Sequence, residues 1–283
     1  MSAPGTDQGP EGTTTSESGR TPTKGDDLRP AAREARTDYV GRFVPFAAGI
    51  AAVVIAAVLG LIIVLRADGL AFEVDEEWAE DLFELRGSIG DIVAFGMDRL
   101  GGGIMGVFVV PIVTAVILLV VRRPWAALYF IVASVASALM VQLLKNLFGR
   151  ARPEDILVIA DFGSFPSGHV ANAATIAVAI GIIAPKRWVW VLGALYTILM
   201  AISRTYVGAH WFTDTVGGAL VGAGMALLVW TLFARKLETE RLRRAAIIAE
   251  RNAALAQSHI TPPSRPRESS RSITADMRSD APR

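Results

Sequence analysis

Cysteine is absent from the 283-residue chain, and charged residues are scarce. The lack of cysteine excludes disulfides, thiolate nucleophiles and cysteine-ligated metal sites. Charged residues make up 19% of the chain and hydrophobic residues 52%, whereas about a quarter of the residues in a soluble domain are usually charged. The apolar residues form long blocks without core periodicity, which indicates a membrane protein. The formal net charge of +1 does not point to nucleic acid, and we predict no such partner.

Six apolar blocks predict an all-α protein, an integral membrane bundle of six transmembrane helices. The expected spans are residues 43–65, 104–121, 125–144, 166–184, 188–203 and 211–234. A hydrocarbon core of about 30 Å requires about 20 helical residues, so the fourth and fifth blocks are short. The flanking tails, residues 1–42 and 235–283, are polar or charged and are expected to be mostly disordered. Gly218 and Gly222 form a small-xxx-small pair that permits close helix packing.

Residues 68–99, between the first two predicted spans, are acidic and amphipathic. Apolar residues recur there at roughly helical spacing, which predicts a helix along the membrane surface or over the bundle as a cover. The simpler interpretation is a solvated helix without a role in chemistry.

The distribution of basic residues predicts the orientation of the bundle. Basic clusters on one side lie before residue 43, at 122–123, at 186–187 and within 235–244. By the positive-inside rule this side is cytoplasmic, so both termini are expected in the cytoplasm of a multi-pass plasma-membrane protein. Four cations fall on the extracytoplasmic side against the rule: Lys145, Arg150, Arg152 and Arg204. Cations on this side of the membrane suggest a binding site for an anion.

Three separated segments meet that outer face: residues 145–153, 166–169 and 203–214. Two of the three histidines in the chain lie in them. His210 and Asp214 are four residues apart, so on a helix they would share a face, and the carboxylate could reach an imidazole nitrogen. Charge and spacing alone predict an anion site with a His–Asp pair.

In chain order the segments contain Lys, six residues, Arg-Pro; then Pro-Ser-Gly-His; then Ser-Arg, five residues, His, three residues, Asp. This pattern resembles the three-part signature of the type 2 phosphatidic acid phosphatase family, which also includes vanadium haloperoxidases and bacterial acid phosphatases. The resemblance covers residues 145–214, and the six-span layout extends it to about 43–234. It implies a membrane-integral lipid phosphatase that needs no metal ion or other cofactor.

The resemblance implies catalytic roles for three residues. His210 would be the nucleophile that forms a phosphohistidine, and Asp214 would hold its tautomer and orientation. His169 would protonate the leaving alkoxide and then activate water as a general base.

The resemblance also implies a phosphate-binding group. Lys145, Arg152 and Arg204 would surround the phosphoryl group with positive charge. Ser167 and Gly168 would offer backbone N–H groups from a helix start, and the Ser167 hydroxyl would donate as well.

Other charged residues of the outer loop are expected to have lesser roles. Arg150 lies outside the motif, and a lipid headgroup contact or plain solvation is expected for it. Glu154, Asp155 and Asp161 lack a histidine or a second carboxylate at ligand spacing, so no metal site is predicted.

The candidate substrates are an isoprenyl diphosphate, phosphatidylglycerol phosphate and phosphatidic acid, and analogy favours the first. A lipid phosphotransferase would use the same site, and a vanadate-dependent haloperoxidase would use the same residues. A lipid transporter is the alternative from another class, although no internal repeat supports it. The bilayer and a lipid phosphate are the expected partners, and the oligomeric state stays open.

Overall fold

The computed structural model describes residues 28–66 and 71–260, and every regular element in that part of the chain is helical. The helices are α1 (Leu28–Leu65), α2 (Glu73–Glu84), α3 (Ser88–Gly101), α4 (Val110–Val120), α5 (Pro124–Phe148), α6 (Gly168–Ile183), α7 (Arg187–Tyr206) and α8 (Phe212–Ile260). A π-helical segment, Met105–Val109, leads into α4. The predicted all-α class is therefore confirmed for the described residues.

Four helical stretches are long and apolar enough to cross a membrane: Gly41–Leu65, Pro124–Phe148, Arg187–Tyr206 and Phe212–Gln257. A fifth crossing results if α3 and Met105–Val120, bent by 49° at the break between them, form one broken span. Helix α6 has 16 residues and is shorter than a full crossing. Length and composition thus support four or five spans within the described residues, compared with the six predicted.

The side chains that point away from the helix bundle are largely apolar. Ile55 of α1, Leu139 of α5 and Leu195 of α7 are 54%, 66% and 56% exposed. An apolar exterior of this extent is unfavourable in water and favourable in hydrocarbon. The long helices therefore have the surface expected of membrane-spanning segments.

Helix α6 lies at the centre of the bundle, against α3, α5 and α7. On another side it meets α8, where a methyl group on Gly218 would lie 3.3 Å from the backbone nitrogen of Ala171. A methyl group on Gly222 would come within 3.0 Å of the Ala171 Cα and still closer to its carbonyl oxygen. The predicted close approach at this glycine pair is confirmed, because neither position has room for a side chain.

Several boundaries differ from the predicted spans. Helix α5 continues to Phe148, so Lys145 lies in its last turn, and Gly149, with φ of 53°, ends the helix. Helix α1 already begins at Leu28, and α8 continues to Ile260. Both predicted tails are therefore helical where they adjoin the bundle, while the remaining tail residues lie outside the described part. The chain divides into two compact units between Ala234 and Arg235.

The acidic segment forms α2 and α3, which both pack on α7. The Trp78 indole donates to the Thr205 hydroxyl at 3.1 Å, and the Tyr206 hydroxyl accepts the Gly87 N–H at 2.8 Å and donates to Asp91 at 3.0 Å. These bonds favour a cover over the bundle, and the expectation of a merely solvated helix is wrong for α2 and α3.

We expect Gly222→Ala to lower stability by about 1–3 kcal/mol, because the new methyl group must push α8 away from α6. Thermal unfolding of the detergent-solubilised protein measures the effect. Gly96→Ala in α3 is the matched control, since a methyl group there meets nothing within 4 Å and alanine favours a helix. Equal melting temperatures for Gly222→Ala and the unmodified protein would contradict the packing argument.

Candidate active site

The three predicted segments meet at one end of the bundle. The last turn of α5, the loop that follows it, the start of α6 and the turn between α7 and α8 surround a cavity of about 690 Å³. Six of the predicted residues line this cavity: Lys145, Arg152, Gly168, His169, Arg204 and His210. Its other walls are mostly apolar and come from the π-helical segment, α4, α5 and α6.

His210 is buried and held by a backbone carbonyl group. Its Nδ1 lies 2.8 Å from the carbonyl oxygen of Ser164, which can only accept a hydrogen bond. Nδ1 therefore carries the proton, and Nε2 keeps its lone pair. Nε2 lies 3.5 Å from Nη1 of Arg152, at the cavity. This tautomer leaves Nε2 free to act as a nucleophile.

The surroundings of His210 disfavour its charged form. Burial lowers the pKa of His210 well below its ordinary value of 6.5, and the nearby cations Arg204, Arg152 and Lys145 lower it further. The imidazole is consequently neutral at physiological pH.

Asp214 lies behind His210 with no solvent exposure. One oxygen, Oδ1, accepts a bond of 2.7 Å from Arg150, and Oδ2 accepts the Trp211 N–H at 2.9 Å. Oδ2 lies 3.7 Å from Nδ1 of His210. His210 lies two residues before the first residue of α8, so the condition of a shared helix is not met. A turn nevertheless places the carboxylate beside the ring.

Lys145 and Arg152 share one acidic partner, Asp161. Lys145 Nζ lies 3.2 Å from Asp161 Oδ1, and Arg152 Nη2 lies 2.7 Å from the same oxygen. Both cations also donate to the carbonyl oxygen of Gly163. Partial burial opposes ionisation of Asp161, but Lys145 and Arg152 outweigh it and hold the pKa of this carboxyl below its ordinary value.

Arg204 and His169 share a second acidic residue, Asp98 of α3. Arg204 is buried and forms a short ion pair with Asp98 Oδ1. His169 Nε2 lies 3.1 Å from the Asp98 carbonyl oxygen and 3.4 Å from its Oδ1. Both atoms are acceptors, so the geometry places a proton on Nε2. Gly102 makes room for this ring, because a methyl group there would collide with it.

Ser167 precedes α6 and has a free hydroxyl group. Its Oγ and the Nε of Arg204 are buried without a hydrogen-bond partner in the described part of the chain. Unpartnered buried donors are costly, so both groups suit an incoming acceptor. The Ser167 N–H instead donates to the Asp214 carbonyl oxygen at 2.9 Å. The expectation that this N–H faces the ligand is therefore wrong. Gly168 is the first residue of α6, where N–H groups lack helical partners.

Arg150 differs most from its predicted role. It is 3% exposed and forms ion pairs with Asp75 of α2 and with Asp214, at 2.6 and 2.7 Å. The expected solvation or headgroup contact is therefore wrong. Asp75 and Asp98 are absent from the predicted site residues, because the sequence gives their acidic segment no role in chemistry. The sequence feature that could have indicated this pairing is the additional cation Arg150 on the outer side, together with carboxylates that lie among apolar residues in the segment 68–99.

Within the described residues, no three His, Asp or Glu side chains are grouped closely enough to ligate a metal ion.

The sequence matches the PAP2 superfamily over residues 126–238. It is 30% identical over 124 residues to the undecaprenyl-diphosphatase of Sulfolobus acidocaldarius, an alignment that covers 41% of this chain and 59% of that protein. It is also 30% identical to phosphatidylglycerophosphatase B of Bacillus subtilis, over 38% of this chain and 58% of that protein. A lipid A 1-phosphatase of Rhizobium johnstonii is 32% identical, over 39% of this chain and 49% of that protein. The chain thus spans between 49% and 59% of the length of these curated relatives.

Two solved structures are similar to this fold. The crystal structure of a transmembrane PAP2-type phosphatidylglycerolphosphate phosphatase from Bacillus subtilis matches with a TM-score of 0.57 and 26% identity, over 64% of this chain and 93% of that chain. The structure of LpxE from Aquifex aeolicus matches with a TM-score of 0.51 and 26% identity, over 56% of this chain and 95% of that chain.

We expect His210 to stay neutral below pH 6.5, because a depressed pKa means that protonation requires a lower pH. An NMR titration of histidine-labelled protein measures this directly, since the chain has three histidines. The missing signal of His210→Gln assigns the resonance. A midpoint at or above pH 6.5 would contradict the burial and charge argument.

Asp161→Asn should tighten the binding of inorganic phosphate, because the anion no longer competes with a carboxylate for Lys145 and Arg152. The expected gain is about two- to fivefold, since an ion pair with an exposed partner contributes at most about 1 kcal/mol. Calorimetric titration with phosphate measures it, and Glu154→Gln in the same loop controls for the change in net charge. Weaker binding in Asp161→Asn would show that Asp161 supports the site instead of competing for it.

Proposed function

We propose that the chain is a member of the PAP2 superfamily, which matches residues 126–238, and that it hydrolyses a phosphate monoester or diphosphate of a membrane lipid. The observation that carries the proposal is the arrangement around His210. Its Nδ1 is bonded to the Ser164 carbonyl oxygen, and its Nε2 lies at a cavity lined by Lys145, Arg152 and Arg204. A nucleophile with a free lone pair beside several cations suits attack on a phosphoryl group.

In the proposed first step, the Nε2 lone pair of His210 attacks phosphorus and the bond to the leaving oxygen breaks. Lys145, Arg152 and Arg204 stabilise the negative charge on the other phosphoryl oxygens, and the Ser167 hydroxyl donates to one of them. His169, with both ring nitrogens protonated, gives one of these protons to the leaving oxygen and becomes a neutral imidazole. The products are the dephosphorylated lipid, or a lipid monophosphate from a diphosphate, and a phosphohistidine.

In the second step, His169 takes a proton from water and the water oxygen attacks the phosphohistidine. The P–N bond breaks, which releases inorganic phosphate and restores neutral His210. Asp214 keeps the ring in place, and its charge favours the cationic ring that forms while Nε2 is bonded to phosphorus.

A lipid substrate is supported by the shape of the cavity. Its charged end holds the catalytic residues, while Phe108, Pro111, Ile112 and Val135 belong to its apolar wall. A volume of about 690 Å³ accommodates a headgroup and the first part of a hydrocarbon chain. Named relatives act on undecaprenyl diphosphate, phosphatidylglycerophosphate and lipid A, which keeps an isoprenyl diphosphate and phosphatidylglycerol phosphate among the candidates, with phosphatidic acid as the third.

We further propose six membrane crossings, with both termini in the cytoplasm and the site at the outer face. In this arrangement α3 and Met105–Val120 form a bent second crossing, and α6 is a short fourth one. The basic residues at 122–123, at 186–187 and after residue 234 support the orientation.

A release assay tests the proposal on lipid monophosphates and diphosphates in detergent with a chelator present. We expect phosphate from at least one substrate, and a rate lower by at least about a thousandfold in His210→Ala, because nucleophile removal has effects of that order. His259→Ala, in the C-terminal tail, is the matched control.

Release of no phosphate from any substrate would refute the proposal, and activity that disappears with chelator would refute its metal-free chemistry. Transfer of phosphate to an added lipid or sugar acceptor, with no free phosphate, would instead identify a phosphotransferase.

A further inference from the structure

A fully buried charge cluster lies behind the proposed nucleophile. The guanidinium of Arg150 donates to Asp75 Oδ2 at 2.6 Å and to Asp214 Oδ1 at 2.7 Å, and all three side chains have 0% exposure. Nη1 of Arg150 also donates to the Thr213 hydroxyl at 2.7 Å, and that hydroxyl donates to Asp75 Oδ2 at 2.9 Å. Four side chains thus form one connected network.

Asp75 also binds the start of α8. Its Oδ1 accepts the backbone N–H of Thr213 at 2.8 Å, in the first turn of that helix. A carboxylate suits this position because helix N-termini carry unpaired N–H groups and partial positive charge. Asp214 lies one residue further along the same turn. The position of Asp75 therefore fixes both the guanidinium that holds Asp214 and the backbone that carries it.

The cluster carries an excess of negative charge. Two carboxylates face one guanidinium, and the Asp214 oxygen that does not bind Arg150 lies 3.7 Å from Nδ1 of His210. The rings of Phe72 and Trp211 lie near the guanidinium, with centroids at 6.0 and 5.6 Å, and attract its positive charge. The excess negative charge lies beside Nδ1 of His210, on the side of the imidazole ring opposite the cavity.

We propose that Asp75 is a positioning residue for the nucleophile, acting through Arg150, Thr213 and Asp214. The inference rests on the proposed function, because it assigns Asp75 to the step in which His210 bonds to phosphorus. In that step the imidazole ring of His210, still protonated at Nδ1, becomes cationic. The excess negative charge of the cluster offsets that charge, and Asp75 itself forms and breaks no bond. The α2 helix thereby contributes to the reaction without lining the cavity.

The test compares Asp75→Asn with the unmodified protein in the phosphate-release assay. Asparagine keeps the shape but removes the charge, and it cannot accept hydrogen bonds at both terminal positions. We expect kcat to fall by about tenfold to a hundredfold, the order found when catalytic groups are displaced. We expect KM to stay within about threefold, because the cations that bind phosphate are untouched. Calorimetric binding of inorganic phosphate should be equally unaffected.

Glu77→Gln is the matched control, because it removes the same charge from an exposed position on α2. It should retain the kcat of the unmodified protein. Thermal unfolding verifies that each variant is folded. Thr213→Val provides a second, milder change that deletes two bonds of the network, and we expect a several-fold fall in kcat. In the Asp75→Asn background the same change should have a smaller effect, since both substitutions act on one network.

Unchanged kcat in folded Asp75→Asn would overturn the inference, as would a rise in KM at constant kcat or an equal loss in Glu77→Gln. If Asp75→Asn does not fold, the kcat of Thr213→Val tests the inference instead, and an unchanged kcat in that variant overturns it. An unmodified protein that releases no phosphate would overturn the proposed function itself, so the two failures are distinguishable.

Discussion

The burial of Arg150 is the constraint on which the arrangement of the site depends. A guanidinium without solvent contact must be paired, because removal of one partner from a buried ion pair costs about 3–5 kcal/mol. Its partners lie far apart in sequence, Asp75 on α2 and Asp214 on α8. The pairing therefore brings an acidic helix, the loop after α5 and the start of α8 to a single point. His210 lies two residues before α8, and its position follows from that junction.

The four cations of the site form two groups, which differ in the solvent exposure of their acidic partners. The partners of Arg150 have no exposure, so the pairs are permanent parts of the fold. Asp161, which pairs with Lys145 and Arg152, is 59% exposed, and Asp98, which pairs with Arg204, is 29% exposed. A carboxylate that reaches water can leave its cation at small cost, because solvation replaces the lost contact. Lys145, Arg152 and Arg204 are accordingly the cations that a ligand can reach.

Sequence patterns predict the cavity-facing residues, because each motif is a short segment whose residue types and spacing indicate an anion site. The helical character and the close packing at Gly218 and Gly222 were equally accessible from composition and small-residue spacing. The role of Arg150 was not, because its partner Asp75 lies 75 residues away and only the tertiary fold reveals the pair. The same holds for Ser164, whose backbone carbonyl group binds His210 regardless of side-chain identity.

The paired cations also bear on the choice of ligand under the proposed function. Any anion that enters must replace Asp161 at Lys145 and Arg152, and must compete with Asp98 for Arg204. A phosphodiester in an ordinary phospholipid carries one negative charge and two ester oxygens, so it offers few contacts in return. A phosphate monoester or a diphosphate carries more charge on terminal oxygens and can engage several cations at once. Competition with the protein's own carboxylates therefore favours terminal phosphates over the diester headgroups that surround the site in a bilayer.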